Sequence, residues 1–243
     1  MKWDNIPADL QLEAKFIDVW HSRIDLPASQ INKYIETLSE EELRRAEKFT
    51  FPDKYKEYVV SRGVLRNALA HVLKQSPSEF IFDYTDSKKP YLSRKYNDQE
   101  ISFNLSHSHG RALIAISLDR QIGIDIEKVR PDIEHEKLAK RFFSEAEHKA
   151  LMQCVVEKRL PAFFATWTRK EAFVKAVGKG IAFGLSEFDV NIDPEQRPKM
   201  QATRWDANDV NKWHMANIDT EKDYMATVVA DGGDFQLRLW QIE

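Results

Sequence analysis

One cysteine, Cys154, stands in a chain of 243 residues. An internal disulfide is impossible and a Cys-based zinc site is excluded, which fits a reducing cytosol. Cys154 falls in a helix-like pattern from Ser144 to Val156, where it reads as a small apolar filler rather than a nucleophile. No apolar stretch approaches the length needed to span a bilayer. The N-terminal Met-Lys-Trp-Asp-Asn lacks the apolar core of a secretory signal, so a cytoplasmic protein is expected. Excess charge of one sign is missing too: 36 Lys and Arg against 39 Asp and Glu leave a formal net charge of −3. That balance gives no global attraction to nucleic acid or to an anionic membrane, so any anion site must be a local cluster of Lys, Arg and backbone N–H groups. Gly178-Lys179-Gly180 lacks the first glycine and the following Ser or Thr of a phosphate loop. It comes after a helix-like run and reads as a helix stop. His107 and His109 have no third His at ligand spacing and no nearby Cys, which argues against zinc.

What is present is a core-forming chain, 42% hydrophobic, in which strand and helix patterns interleave. Strands are expected at Phe16–Trp20, Phe80–Tyr84, Ser102–Leu105 and Ala112–Leu118, the last two joined by a polar turn from Ser106 to Gly110. Ser39 caps a helix to Phe49 with Glu42 placed for a capping box, and a long helix runs from Lys54 to Lys74. After Gly123 the pattern begins again. A strand at Ile122–Glu127 leads to helices near Ile133–Phe142, Ser144–Val156 and Ala162–Val177. Strands then follow near Phe188–Asn191, Trp213–Ile218, Tyr224–Val229 and Phe235–Gln241. Ser144 and Glu147 form a second capping-box pattern. The fold class is α+β, with two comparable α/β lobes at 1–120 and 121–243 meeting near the turn from Asp119 to Gln121.

Two segments carry chemistry. In Gly-Ile-Asp-Ile-Glu, from Gly123 to Glu127, strand alternation puts Asp125 and Glu127 on one face; in the helical run from Trp167 to Gly180, Glu171 stacks over Lys175. Three carboxylates and a lysine are expected to converge, and hard oxygen ligands of this kind suit Mg²⁺ with a phosphate ester as its partner. Trp167, Phe173 and Val177 recur at helical spacing and read as core. Arg62 and Arg66 share a helix face, with Arg66 covering the helix surface.

With Lys-Lys-Pro-Tyr-Leu at Lys88–Leu92, Phe-Asn-Leu-Ser-His-Ser at Phe103–Ser108 and Arg-Phe-Phe-Ser-Glu-Ala-Glu at Arg141–Glu147 in the same order, the chain resembles the Sfp-type 4′-phosphopantetheinyl transferases over roughly Leu38 to Asn191. The resemblance implies a single-chain pseudo-dimer with coenzyme A in the cleft between its halves. The implied reaction moves the phosphopantetheine arm of coenzyme A onto a serine of an acyl or peptidyl carrier protein and releases 3′,5′-ADP. By the same resemblance Asp125, Glu127 and Glu171 hold Mg²⁺ or Mn²⁺, Glu127 directly or through water. Glu171 also takes the serine proton, and Lys175 reaches a bridging phosphate. Arg62 and Arg45 approach the 3′-phosphate, Lys89 and Pro90 line the adenine and phosphate pocket, and Asn104, Ser106 and His107 contact phosphate and nucleotide. His109 matches nothing in the pattern and reads as a turn residue. An acidic carrier would dock near Arg44, Arg45, Lys48 and Phe49, or on the segment from Arg130 to Arg141. A monomer acting on neither nucleic acid nor membrane is expected. Two rivals remain: a metal-dependent nuclease, which also groups acidic residues around Mg²⁺ but normally with a basic groove, and a coenzyme A or nucleotide-binding regulator without transfer.

Overall fold

The computed structural model describes residues 2–96, 100–180 and 183–242. In chain order the strands and helices are β1 (Asp4–Asn5), β2 (Phe16–Arg23), α1 (Ala28–Ile35), α2 (Glu40–Ala46), α3 (Pro52–Leu73), β3 (Phe82–Tyr84), β4 (Pro90–Leu92), β5 (Ile101–Ser108) and β6 (Arg111–Leu118). There follow β7 (Ile122–Lys128), α4 (His135–Phe142), α5 (Glu145–Gln153), α6 (Val156–Val177), β8 (Phe188–Val190), β9 (Met200–Thr203), β10 (His214–Asn217), β11 (Tyr224–Ala230) and β12 (Gln236–Gln241). The chain is α+β and divides into two units, one of residues 2–84, 90–119 and 236–242, the other of Thr85–Lys89 and Arg120–Phe235.

In the first unit a five-stranded sheet runs β1-β12-β2-β6-β5. Trp20, Phe103, Ile114 and Ile116 of this sheet share one core with Val59, Val60, Val64, Leu65, Ala68 and Leu69 of α3. Gly63 sits in mid-helix, a placement that ordinarily costs about 1 kcal/mol. A Cβ there would lie 2.5 Å from Tyr34 Cδ1, so the missing side chain lets α1 close on α3. Ser39 accepts from the Glu42 N–H and Glu42 returns a bond to the Ser39 N–H, the expected capping box.

The second unit sets α6 against the antiparallel sheet β10-β11-β7, with β8 and β9 paired alongside. Phe173, fully buried, packs on Phe188 with ring centroids 4.5 Å apart and meets Trp213 edge-on at 5.2 Å. The two units repeat one plan. Each carries a 22-residue helix ending on a left-handed residue, Lys74 (φ 55°) or Gly178 (φ 74°). Each also has a Ser-x-x-Glu capping box on the shorter helix before it.

The structure corrects several expectations. Residues 236–242 belong to the first unit, because β12 runs parallel to β2 and buried Asp18 takes hydrogen bonds from Arg238 Nε (2.8 Å), Arg238 Nη2 (2.7 Å) and Trp240 Nε1 (2.7 Å). An ion pair between strands 220 residues apart leaves no local pattern in the sequence. Residues 85–89 conversely join the second unit. Helix α6 starts at Val156 and passes through Pro161, whose missing N–H costs one bond in an early turn, while α5 stops at Gln153 with Cys154 as its half-buried C-cap. Strand β5 extends to Ser108 and the turn shrinks to His109 (φ 42°) and Gly110 (φ 83°), the paired left-handed conformation of a two-residue hairpin. Arg66 does not cover a surface: it is 1% exposed and bound to Glu42 through Nε at 2.8 Å and Nη2 at 2.7 Å.

Candidate active site

Strand β7 meets α6 at unusually close range, and one glycine permits it. A Cβ on Gly123 would lie 2.0 Å from the Ala172 carbonyl oxygen and 2.3 Å from the Ala176 nitrogen. By strand alternation Asp125 and Glu127 occupy the same face as Gly123, toward α6, while Ile124 and Ile126 turn to the other side and are fully buried. Asp125 is 3% exposed. Its register partner on β11 is Thr227, which shares a 3.1 Å hydrogen bond with Thr168 of α6.

Above this face α6 brings two charged residues one turn apart. The Lys175 ammonium donates to Asp125 Oδ1 at 2.6 Å and to the Ile124 carbonyl at 3.2 Å. The Glu171 carboxyl is pushed above its ordinary range, first by burial and then by the negative charge of Asp125, with Lys175 pulling the other way. Asp125, Glu171 and Lys175 therefore form one electrostatically coupled group. Lys89 closes its far side: Nζ donates to the Ile122 carbonyl (2.8 Å) and the Lys175 carbonyl (2.7 Å), joining the start of β7 to an open carbonyl in the last turn of α6. Burial, with the Lys175 charge in support, lowers the Lys89 pKa to about 8.

The expected convergence of three carboxylates is not found. Among the described residues no three His, Cys, Asp or Glu side chains are gathered so as to hold a metal ion. Strand rise explains it, since residues two apart on one face stand roughly 6.6 Å from each other, which carries Glu127 down the strand from Asp125. The pair Asp125 and Glu171 still fits Mg²⁺, which takes one or two protein carboxylates and completes its shell with water and phosphate oxygen. Two acids whose charges oppose each other, Asp125 buried and Glu171 half-buried, are a place where a divalent cation lowers the energy.

The first unit holds a second cationic group. The Arg62 and Arg45 guanidinium carbons stand 5.6 Å and 5.8 Å from the Tyr58 ring centroid. Arg62 is 7% exposed, and its Nη1 and the Tyr58 hydroxyl are buried without hydrogen-bond partners. Unpaired buried donors are costly, and an anion is what satisfies them. On β5, Asn104 and Ser106 lie on one buried face while His107 alternates to the exposed side, so the two neighbours predicted to act together point apart. Pro90 opens β4, half-buried.

Sequence reasoning missed three parts of this geometry: the close approach at Gly123, the clasp formed by Lys89, and the Tyr58 ring within 6 Å of two guanidinium groups. Only the first had a visible signal, a glycine inside a strand pattern.

A family model described as 4′-phosphopantetheinyl transferase superfamily matches residues 121–229, and another described as 4′-phosphopantetheinyl transferase, N-terminal, matches residues 26–119. The 4′-phosphopantetheinyl transferase HetI of Nostoc sp. is 35% identical over 238 residues, covering 98% of this chain and 97% of its own. The 4′-phosphopantetheinyl transferase Sfp of Bacillus subtilis is 29% identical over 171 residues, covering 70% of this chain and 74% of its own. The L-aminoadipate-semialdehyde dehydrogenase-phosphopantetheinyl transferase of Xenopus laevis is 29% identical over 164 residues, covering 63% and 54%.

Proposed function

Because this chain belongs to the 4′-phosphopantetheinyl transferase family, we propose that it moves 4′-phosphopantetheine from coenzyme A to a serine hydroxyl of an apo acyl or peptidyl carrier protein, releasing 3′,5′-ADP. The observation that carries the reading is the coupled group of Asp125, Glu171 and Lys175. Asp125 and Glu171 would hold Mg²⁺, with Glu127 contributing directly or through water, and the ion would supply charge stabilisation at the pyrophosphate.

The protein's own groups do the rest. Glu171, on α6 one turn before Lys175 and close enough to Asp125 to feel its charge, is the carboxylate placed to accept the serine proton. Lys175, on a flexible stem beside that carboxyl, is the cation for phosphate oxygen. Arg62, with Arg45 and the Tyr58 hydroxyl, supplies donors for the 3′-phosphate, while Lys89, Pro90, Asn104 and Ser106 serve the nucleotide. The carrier docks on the Arg44, Arg45 and Lys48 face, where Phe49 and Phe51 are 40% and 72% exposed.

No helix among the described residues is long and apolar enough to cross a membrane. Purified protein, coenzyme A and Mg²⁺ should add one phosphopantetheine to the mass of an apo carrier. A chain that binds coenzyme A yet leaves the carrier mass unchanged is a regulator, and the proposal fails.

A further inference from the structure

Two cations that the reaction does not use lie buried in α6 immediately before Glu171. Lys170 is 0% exposed, and its three ammonium protons meet three acceptors: Glu147 Oε2 at 2.8 Å, the Leu185 carbonyl at 2.7 Å and the Phe188 carbonyl at 2.6 Å. Glu147 is equally complete, accepting from the Ser144 N–H at 2.9 Å and the Val190 N–H at 2.8 Å. On the adjacent side of the helix Arg169 donates to the carbonyls of Asn191 and Asp193. Burying an ion pair seldom adds net stability, but removing one partner costs several kcal/mol. So complete a set of partners fixes geometry more than it adds free energy.

The first unit contains the same device. Arg66 follows Pro52 by fourteen residues as Lys170 follows Val156, so both sit at one place in helices of equal length. Arg66 pairs with Glu42, the capping-box glutamate of α2, and donates to the Pro77 and Phe80 carbonyls at 2.7 and 3.1 Å. The difference is the next residue, Asn67 in the first unit and Glu171 in the second.

We propose that the Glu147–Lys170 clamp is a positioning device for Glu171: it locks the rotation of α6 about its own axis against α5 and β8, and so sets where the neighbouring carboxylate points. This rests on the role of Glu171 proposed above. A helix surface lies about 5–6 Å from the axis, so a roll of roughly 20° displaces a side-chain group by about 2 Å. Misplacements of about 1 Å can cost on the order of 100-fold in rate.

The test compares two charge-neutral double variants with E171Q. In carrier modification followed by mass, E147Q/K170M loses about 10- to 100-fold in kcat while KM for coenzyme A stays within about twofold. The matched E42Q/R66M lowers Tm and keeps kcat, because no catalytic carboxylate follows Arg66. E147D keeps both charges but shortens the reach by one methylene, and it carries the same readout if the double variant does not fold. Native kcat in folded E147Q/K170M or E147D, or equal kcat losses in both double variants, overturns the clamp. If E171Q itself turns over normally, the role of Glu171 fails first.

Discussion

Adding one methyl group at Gly123 should separate the two elements that carry the chemistry. Its backbone is ordinary strand, so Gly123→Ala introduces no conformational strain and acts through space alone. The new Cβ would start 2.0 Å from the Ala172 carbonyl oxygen, whereas ordinary contact begins at 3.4 Å, so strand and helix must part by roughly 1.4 Å. Both nearest atoms are backbone, so no rotamer change relieves the clash and Ala172→Gly does not rescue it. Overpacking of this kind costs about 1–3 kcal/mol. For a protein of this size that lowers Tm by roughly 2–12 °C. The same separation draws Glu171 and Lys175 away from Asp125, for a loss of about 100-fold in kcat. Thermal melts by circular dichroism and carrier modification by intact mass measure the two effects. A folded Gly123→Ala protein with native Tm and native kcat would refute the argument that this contact holds the site together.

Glu171→Gln should abolish most turnover yet raise Tm at neutral pH. The folded carboxyl sits above its ordinary 4.5, so the folded state binds the extra proton as pH falls and loses stability as pH rises through the raised value; the glutamine's advantage should vanish below 4.5. No gain at pH 7 would count against the buried charge. Lys89 has the opposite sign of shift on a base: between about 8 and 10.5 the unfolded chain holds more protons, so stability contributed by Lys89 rises with pH across that window. Urea unfolding of the native protein and Lys89→Met should show the difference between them growing by up to about 3 kcal/mol over that range, and a constant difference would contradict it. The paired change Lys48→Glu with Phe51→Ser should raise KM for the carrier while leaving KM for coenzyme A in place; an unchanged carrier KM removes that face from docking.

Local patterns were legible in the sequence because their causes are local. The Ser39–Glu42 and Ser144–Glu147 capping boxes, the alternation in β7 and the i,i+4 stacking of Glu171 over Lys175 each need only neighbouring residues. Contacts set by distant chain were not legible. Nothing near Asp18 announces that Arg238 lies opposite it, and nothing around Glu147 shows that its carboxylate continues from a helix cap to Lys170. The expected meeting of three carboxylates is absent among the described residues for a related reason: same-face residues on a strand share a direction without sharing a point, and Glu127 stands a full pleat beyond Asp125.

Two units with one scaffold differ at the positions to which the proposed function assigns chemistry. Both long helices run 22 residues, and both carry a buried cation that reaches back to a capping glutamate and forward to two carbonyls. In the first unit that shared framework carries no carboxylate, because Asn67 follows the cation. In the second unit the same framework holds a carboxylate beside Asp125, and the energetic signature is the raised pKa of Glu171. Holding buried Asp125 of β7 against half-buried Glu171 and Lys175 of α6 is unfavourable for folding alone, since each charge surrenders water that the others only partly replace. A scaffold that fixes helix rotation through Lys170 and helix distance through Gly123 is what lets such a group persist before any ligand arrives. Preorganisation of this kind places the rigidity in residues that touch neither substrate, and disruption there should cost rate before it costs binding.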